Sequence, residues 1–420
     1  MHGVFSMAGP VSEQQDTQFP HFETHVVTVL GRLRAALADL FQAVGADATR
    51  PQNVARDFGL NKNLTWKISK IICEPDPASV VSYLPGRAGL NILLDTFKKR
   101  GAPVNTLKEV RDSLNEFEQM QKVHAGDRDT LEAMLGALSS GPDAQQANEN
   151  QRKLAFRGNS AIWGVQARLQ ICVNIIAPSS DPAFVDLAWI SGLVDFRRLR
   201  REAAWAIAST RKVDDQGKSI PTGNIQSIDP DYSTNEDAPL MGEFCSDPTP
   251  ELRLNLGADG VLRYELVEGP IGNTAATTCI IGIFGRQFVR RTRVPGDTIG
   301  EHLARLYTPA ELLVHDLFVH EDLKNAHNPK IHLYDQLPIA PPYPIGGRDR
   351  GELPIAESVQ SLGVGTRSAV VPEFPTYPAI IDAACKRLEW DPGAFRGYRF
   401  RLKYPPIPSV ALFRYPLAEK

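Results

Sequence analysis

Apolar residues spaced three and four apart dominate the first third of the chain. Val26, Val29, Leu30, Leu33, Leu37, Leu40, Phe41 and Val44 form one stripe, which predicts an amphipathic helix closed by Gly45. Leu107, Val110, Leu114, Phe117 and Met120 repeat the pattern over Asn105 to Val123, and shorter helical patterns cover Leu90 to Lys99 and Thr130 to Leu138. Ser139 to Gly158 is polar and reads as a linker or the start of a connecting helix. The period then changes. Val165, Ala167, Leu169, Ile171, Val173 and Ile175 alternate with Gln166, Arg168, Gln170, Cys172 and Asn174, the period of a half-buried strand.

Further strands are expected at Phe184 to Val194 and Ala204 to Lys212, with the arginines of FRRLRRE between them as a strand or, alternatively, a helix. Asp214 to Pro250, rich in Asp, Gly, Ser and Pro, reads as a long surface loop. Gly257-Ala258-Asp259-Gly260 between apolar flanks predicts a hairpin over Arg253 to Val267, and Thr277 to Val294 a long strand. Thr308 as a cap and Pro309 at the first helical position predict a helix to Leu323. Leu337 to Arg350 is dense in proline and glycine and reads as irregular. Tyr377 to Leu388 reads as a helix. Tyr398, Phe400, Leu402 and Tyr404, alternating with Arg399, Arg401 and Lys403, read as a strand, as does Val410 to Tyr415. Because the strands do not alternate regularly with helices, the expected class is α+β. The expected division is a flexible tail (1–25), a helical domain (26–140), a linker or connecting helix (141–160) and a larger, mainly antiparallel domain (161–420).

Residues Arg50 to Ile72 carry the most specific pattern. Val54, Ala55 and Phe58 make the apolar side of a short helix, and Gly59 stands where a helix-ending turn needs positive φ. Leu60 plugs the turn and Asn61 caps a second helix, whose inner side is Leu64, Thr65, Ile68, Ile71 and Ile72. Lys62, Asn63, Trp66 and Lys70 fall on its outer side, with Lys67 at the edge. The segment resembles the helix-turn-helix of bacterial transcriptional regulators through Ala55, Gly59, Leu60 and Ile68. Thr65 departs from that pattern, which has an aliphatic residue there. The resemblance covers about twenty of 420 residues. It implies major-groove binding to double-stranded DNA by the second helix. No strand hairpin follows it, so no wing is expected.

Charge adds to this picture. Arg50 to Arg100 carries nine Lys or Arg against four Asp or Glu, whereas the whole chain carries −3. A local basic patch in a mildly acidic protein is what phosphate contacts require, and a solvated surface would look the same. Asn63 suits paired hydrogen bonds to adenine, and Lys62, Lys67 and Lys70 suit phosphates.

Other chemistry is less well patterned. Five of nine histidines lie between His302 and His332, among Glu301, Asp316, Glu321 and Asp322. His315 and His320 are the nearest approach to a metal pair, but five-residue spacing shares no helix face and no HExxH occurs, so surface or capping histidines are expected. No P-loop, dinucleotide fingerprint or GxSxG elbow is present, and SLGVGTRS at Ser361 to Ser368 reads as a plain loop. Three basic groups, Arg197/Arg198/Arg200/Arg201, Arg290/Arg291/Arg293 and Arg399/Arg401/Lys403, fit exposed faces paired with acids. The cysteines, 73, 172, 245, 279 and 385, are scattered and read as small buried hydrophobes in a reducing compartment. The first twenty residues show no secretory pattern and no apolar run reaches membrane-spanning length, so a cytoplasmic protein without a membrane partner is expected.

These observations lead to the expectation of a DNA-binding regulator that needs no cofactor. Its C-terminal domain would sense a small-molecule effector or hold a homodimer or higher oligomer together. The alternatives are an assembly protein in which the hairpin only packs, and a metal-dependent enzyme using His302 to His332.

Overall fold

The computed structural model describes residues 21–74, 77–138, 142–201, 205–210, 212–213, 219–220, 225–232, 238–257, 262–336 and 351–419. Residues 1–20 of the tail expected over 1–25, the tip of the 253–267 hairpin and the 337–350 segment lie outside them, while residues 22–25 of that expected tail form the first turn of the first helix. The chain divides into two compact units, Met1–Ala147 and Asn148–Lys420. The fold is α+β, a helical N-terminal region followed by a larger sheet-rich one. No described helix is long and apolar enough to cross a membrane.

The first unit is built from α1 (Phe22–Ala43), α2 (Pro51–Phe58), α3 (Lys62–Cys73), a 3-10 segment (Pro77–Tyr83), α4 (Arg87–Lys99), α5 (Val104–His124) and α6 (Arg128–Leu138). The three- and four-residue stripes become its core. Leu30, Leu33, Leu37, Ile68, Leu93, Phe97, Val110 and Met120 are all essentially inaccessible to solvent. The polar stretch after Leu138 includes α7 (Pro142–Trp163), a helix that contains the boundary between the units.

The second unit has fifteen described strands. In order they are β1 (Val165–Pro178), β2 (Phe184–Arg198), β3 (Trp205–Thr210), β4 (Lys212–Val213), β5 (Ser219–Ile220), β6 (Ile225–Ser227), β7 (Leu252–Leu256), β8 (Leu262–Leu266), β9 (Thr277–Arg290), β10 (Ile299–Leu306), β11 (Ala310–His320), β12 (Lys330–Asp335), β13 (Gln360–Val364), β14 (Phe395–Lys403) and β15 (Ser409–Pro416). A seven-stranded sheet in the order β13-β14-β11-β1-β2-β9-β6 forms the frame, with smaller sheets β10-β15-β12 and β3-β8-β7. In the large sheet only β1 and β11 pair in parallel; the other ladders are antiparallel. Successive side chains alternate between faces, so β1 sends Leu169, Ile171, Val173 and Ile175 into one core with α8 (Tyr377–Arg387). Cys172 and Ile176 enter another, shared with β10 and β15. Leu193, Cys279 and Ile281 join a third with β7 and β8.

Several sequence expectations are corrected here. The helix expected from Thr308 to Leu323 is strand β11. Its LLVHDLFV run is buried on both faces between β1 and β14, and a strand buried on both faces carries no polar alternation to distinguish it from a buried helix. The FRR of FRRLRRE continues β2 rather than forming a helix. The 214–250 loop includes the short strands β5 and β6, and Ala238, Leu240 and Met241 within it are buried. The SLGVGTRS loop begins as the edge strand β13. Cys73 is exposed and Cys245 half-buried, so only three of the five cysteines are core residues.

Candidate functional site

The helix pair α2–α3 owes its geometry to three residues. Gly59 adopts the left-handed conformation, φ 65° and ψ 30°, which ends α2 without the strain a Cβ would bring. The next amide, Leu60 N–H, donates to Ala55 O at 2.9 Å while the Leu60 side chain turns into the core. Asn61 Oδ1 then accepts from the amides of Asn63 (2.8 Å) and Leu64 (3.4 Å), satisfying donors at the start of α3. Ala55 is buried, and its small side chain occupies the apolar side of α2.

Thr65 is also buried, and its hydroxyl donates to Lys62 O at 3.1 Å. This local bond removes the penalty of placing a polar residue in an aliphatic slot. Ile68 and Ile71 complete the inner face, and Arg34 Nε, donating to Ile72 O at 2.9 Å, ties α3 to α1. Lys62, Asn63 and Trp66 are exposed, whereas Lys67 and Lys70 are half-buried. Trp66 is 43% exposed, with one edge against Tyr83 at 5.5 Å between ring centroids. Nearby arginines are committed elsewhere: Arg56 pairs with Asp57 and Arg87 with Glu118. Among the described residues, Lys62, Lys67 and Lys70 form no ion pair. A 3-10 segment and α4 follow α3 in place of a wing.

The second unit has a half-open cavity of about 780 Å³ that sequence reasoning did not foresee. Its walls come from the polar side of β1 (Gln170, Cys172, Asn174) and from β2, β3, β9 and β10. The signal for it lies in β1: the alternation predicts a half-buried strand with Gln170 and Asn174 on its polar side, yet both are buried beside Cys172. Gln170 Nε2 donates to Arg305 O at 2.7 Å, while its Oε1 has no hydrogen-bond partner. Asn174 Nδ2 holds His315 Nε2 at 3.1 Å, and His302 Nε2 meets the Tyr415 hydroxyl at 2.8 Å. Burial lowers His302 to about 4 and, with the nearby His302, lowers His315 to about 3, so both are neutral at pH 7. Burial also pushes the Cys172 thiol up to about 12, which leaves it protonated and poorly nucleophilic.

The remaining histidines do not gather. His315 and His320 are an odd number of residues apart on β11 and therefore point to opposite faces. His320 lies beside Asp322, His327 against the Tyr398 hydroxyl and His332 against Glu352. Among the described residues no three His, Cys, Asp or Glu side chains are placed to hold a metal ion. His302 and His315 are buried rather than surface or capping groups.

Two residues of the arginine stripes, Arg198 and Arg399, differ from the exposed faces expected. Arg399 is buried against Asp316, with Nε–Oδ1 at 2.9 Å and Nη2–Oδ2 at 2.7 Å, and Tyr377 donates to the same carboxylate at 2.8 Å. Arg198 is buried and donates to Val267 O at 2.6 Å, whereas Arg293 is exposed and pairs with Glu419 at 3.4 Å, as expected. The two buried cations hold the second unit together. No protein-family model, curated protein or solved structure matches the chain.

Proposed function

We propose that the protein is a DNA-binding transcriptional regulator. In this reading α3 enters the major groove of double-stranded DNA, and the sheet-rich unit senses an effector or holds a homodimer together. The observation that carries it is the outer side of α3, where Lys62, Asn63 and Trp66 stand exposed beside Lys67 and Lys70 on a helix fixed by a glycine turn. Lysines without ion-pair partners are available to phosphates, and an exposed amide can read a base edge. Asn63 supplies the base contact, the lysines set position, and Trp66 packs against sugar and base surfaces.

The test is binding of the full chain to random-sequence duplex across a salt series. Affinity should fall steeply with salt, and Lys62→Ala and Lys70→Ala should each reduce the log–log slope by about 0.9. Absence of binding at 50 mM salt would sink the proposal.

The rival reading, a hairpin that only packs, draws on the Trp66–Tyr83 contact. It expects lysine variants indistinguishable from the parent in every binding assay.

A further inference from the structure

The cavity of the second unit has a built interior. At about 780 Å³ it lies within the size range of drug-sized ligand sites. Trp189, Trp205 and Phe288 give it aromatic walls, and Leu187 and Ile283 extend the apolar surface. Set among these are buried polar groups whose capacity is not used up. Ser191, buried, makes no side-chain hydrogen bond among the described residues. Asn174 uses only its Nδ2 and His302 only its Nε2, leaving Asn174 Oδ1 and His302 Nδ1 without partners there. Among the described lining residues, Gln170 Oε1 and Trp189 Nε1 are fully buried side-chain atoms without a hydrogen-bond partner. Native interiors leave few such groups unpaired, because each costs about 1–3 kcal/mol.

The chemistry of these atoms is selective. Gln170 Oε1 and Asn174 Oδ1 can only accept hydrogen bonds, and the Ser191 hydroxyl can accept as well as donate. The carboxylate in the lining, Glu301, is already engaged by Arg414 at 2.8 Å. Both histidines at this end are held neutral by burial. Arg263 and Arg305 also line the cavity and the Trp189 indole N–H has no partner, so the wall favours an aromatic molecule that brings an N–H or O–H for Gln170 Oε1 and an acceptor for Trp189.

We propose that the cavity bounded by β1, β2, β3, β9 and β10 binds an aromatic small molecule carrying hydrogen-bond donors, which the side chains of Asn174 and Ser191 receive. Aromatic contacts with Trp189 and Trp205 supply most of the affinity, and the donor contacts supply selectivity. An effector role for this ligand rests on the DNA-binding reading; occupancy of the cavity does not.

The experiment uses the full chain and the neutral probe N-phenyl-1-naphthylamine, whose fluorescence rises in apolar surroundings. One saturable site per chain is expected. The N-methyl derivative, which lacks the N–H, should bind about five- to tenfold more weakly. Leu303→Trp, at the solvent-accessible side of the cavity, should abolish saturable binding while melting cooperatively near the parent temperature. No saturable binding, equal affinity for the two probes, or undiminished binding by folded Leu303→Trp would each overturn the proposal. Lys62→Ala should leave probe binding unchanged. Probe binding without duplex binding would therefore reject the regulator and keep the ligand site, and the reverse result would do the opposite.

Discussion

Acidification should destabilise the sheet-rich unit between pH 6.5 and 5 because His302 and His315 fold as neutral groups. In the unfolded chain each titrates near 6.5; burial lowers them to about 4 and about 3. A depressed histidine leaves stability complete above the unfolded value and removes it as pH falls toward the folded value. Each group costs about 0.7 kcal/mol per pH unit at 6.5, rising to about 1.4 well below it, so the pair removes about 3 kcal/mol between pH 6.5 and 5. That is a large part of the 5–15 kcal/mol typical of a domain. Urea denaturation at pH 8, 6.5 and 5 measures it, with tryptophan fluorescence in a Trp66→Phe background so that the signal comes from the second unit. The urea midpoint should change little from pH 8 to 6.5 and fall steeply from 6.5 to 5. His302→Gln should remove about half of the fall and the His302→Gln/His315→Gln pair most of it. An equal fall in parent and double variant would refute the reasoning, because it would assign the proton uptake to other groups.

Asp316→Ala should destabilise the second unit by about 3–5 kcal/mol, since it leaves the Arg399 guanidinium buried without its carboxylate; a change in denaturation free energy below about 1 kcal/mol would contradict the buried pair. Asn61→Ala should cost about 1 kcal/mol by removing the cap of α3. The same variant should weaken duplex binding if that helix reads DNA, and protein melting beside a gel-shift titration checks both.

The first unit was legible because its information is local. Gly59, Asn61 and the stripe from Val26 to Phe41 act within a few residues of themselves, and α1, α2 and α3 lie where the spacing places them. The second unit is governed by partners far along the chain. Val314 is in a strand because it pairs with Ile171 on one side and Arg401 on the other, neither of which its neighbours could announce. Thr308 and Pro309 imitate a helix start, and the pairing of β11 with β1 and β14 overrides them. The same limit applies to charge. Arg399 looked like Arg401 and Lys403 in an alternating stripe, but Arg399 pairs with Asp316 in the interior, whereas Arg401 and Lys403 pair with Glu373 and Glu149 nearer the surface.

Strand β1 shows what the missing information was. Alternation of Leu169, Ile171 and Val173 with Gln170, Cys172 and Asn174 states that the two faces meet different surroundings. It does not state that the polar one is water. A solvated face places few demands on its side chains, and charged residues serve there best. Here the three buried positions are neutral, while the charged Arg168 on the same side is more exposed and meets Asp195. The absence of charge over Gln170 to Asn174 is thus the feature that separates a buried polar wall from a wet one. Burying charge there would cost several kcal/mol, whereas an amide needs only a hydrogen-bond partner. A strand that alternates apolar with uncharged polar residues, next to positions where the same face carries charge, is therefore a sequence signature for a lined cavity. In this chain it marks the surface that the proposed ligand would touch.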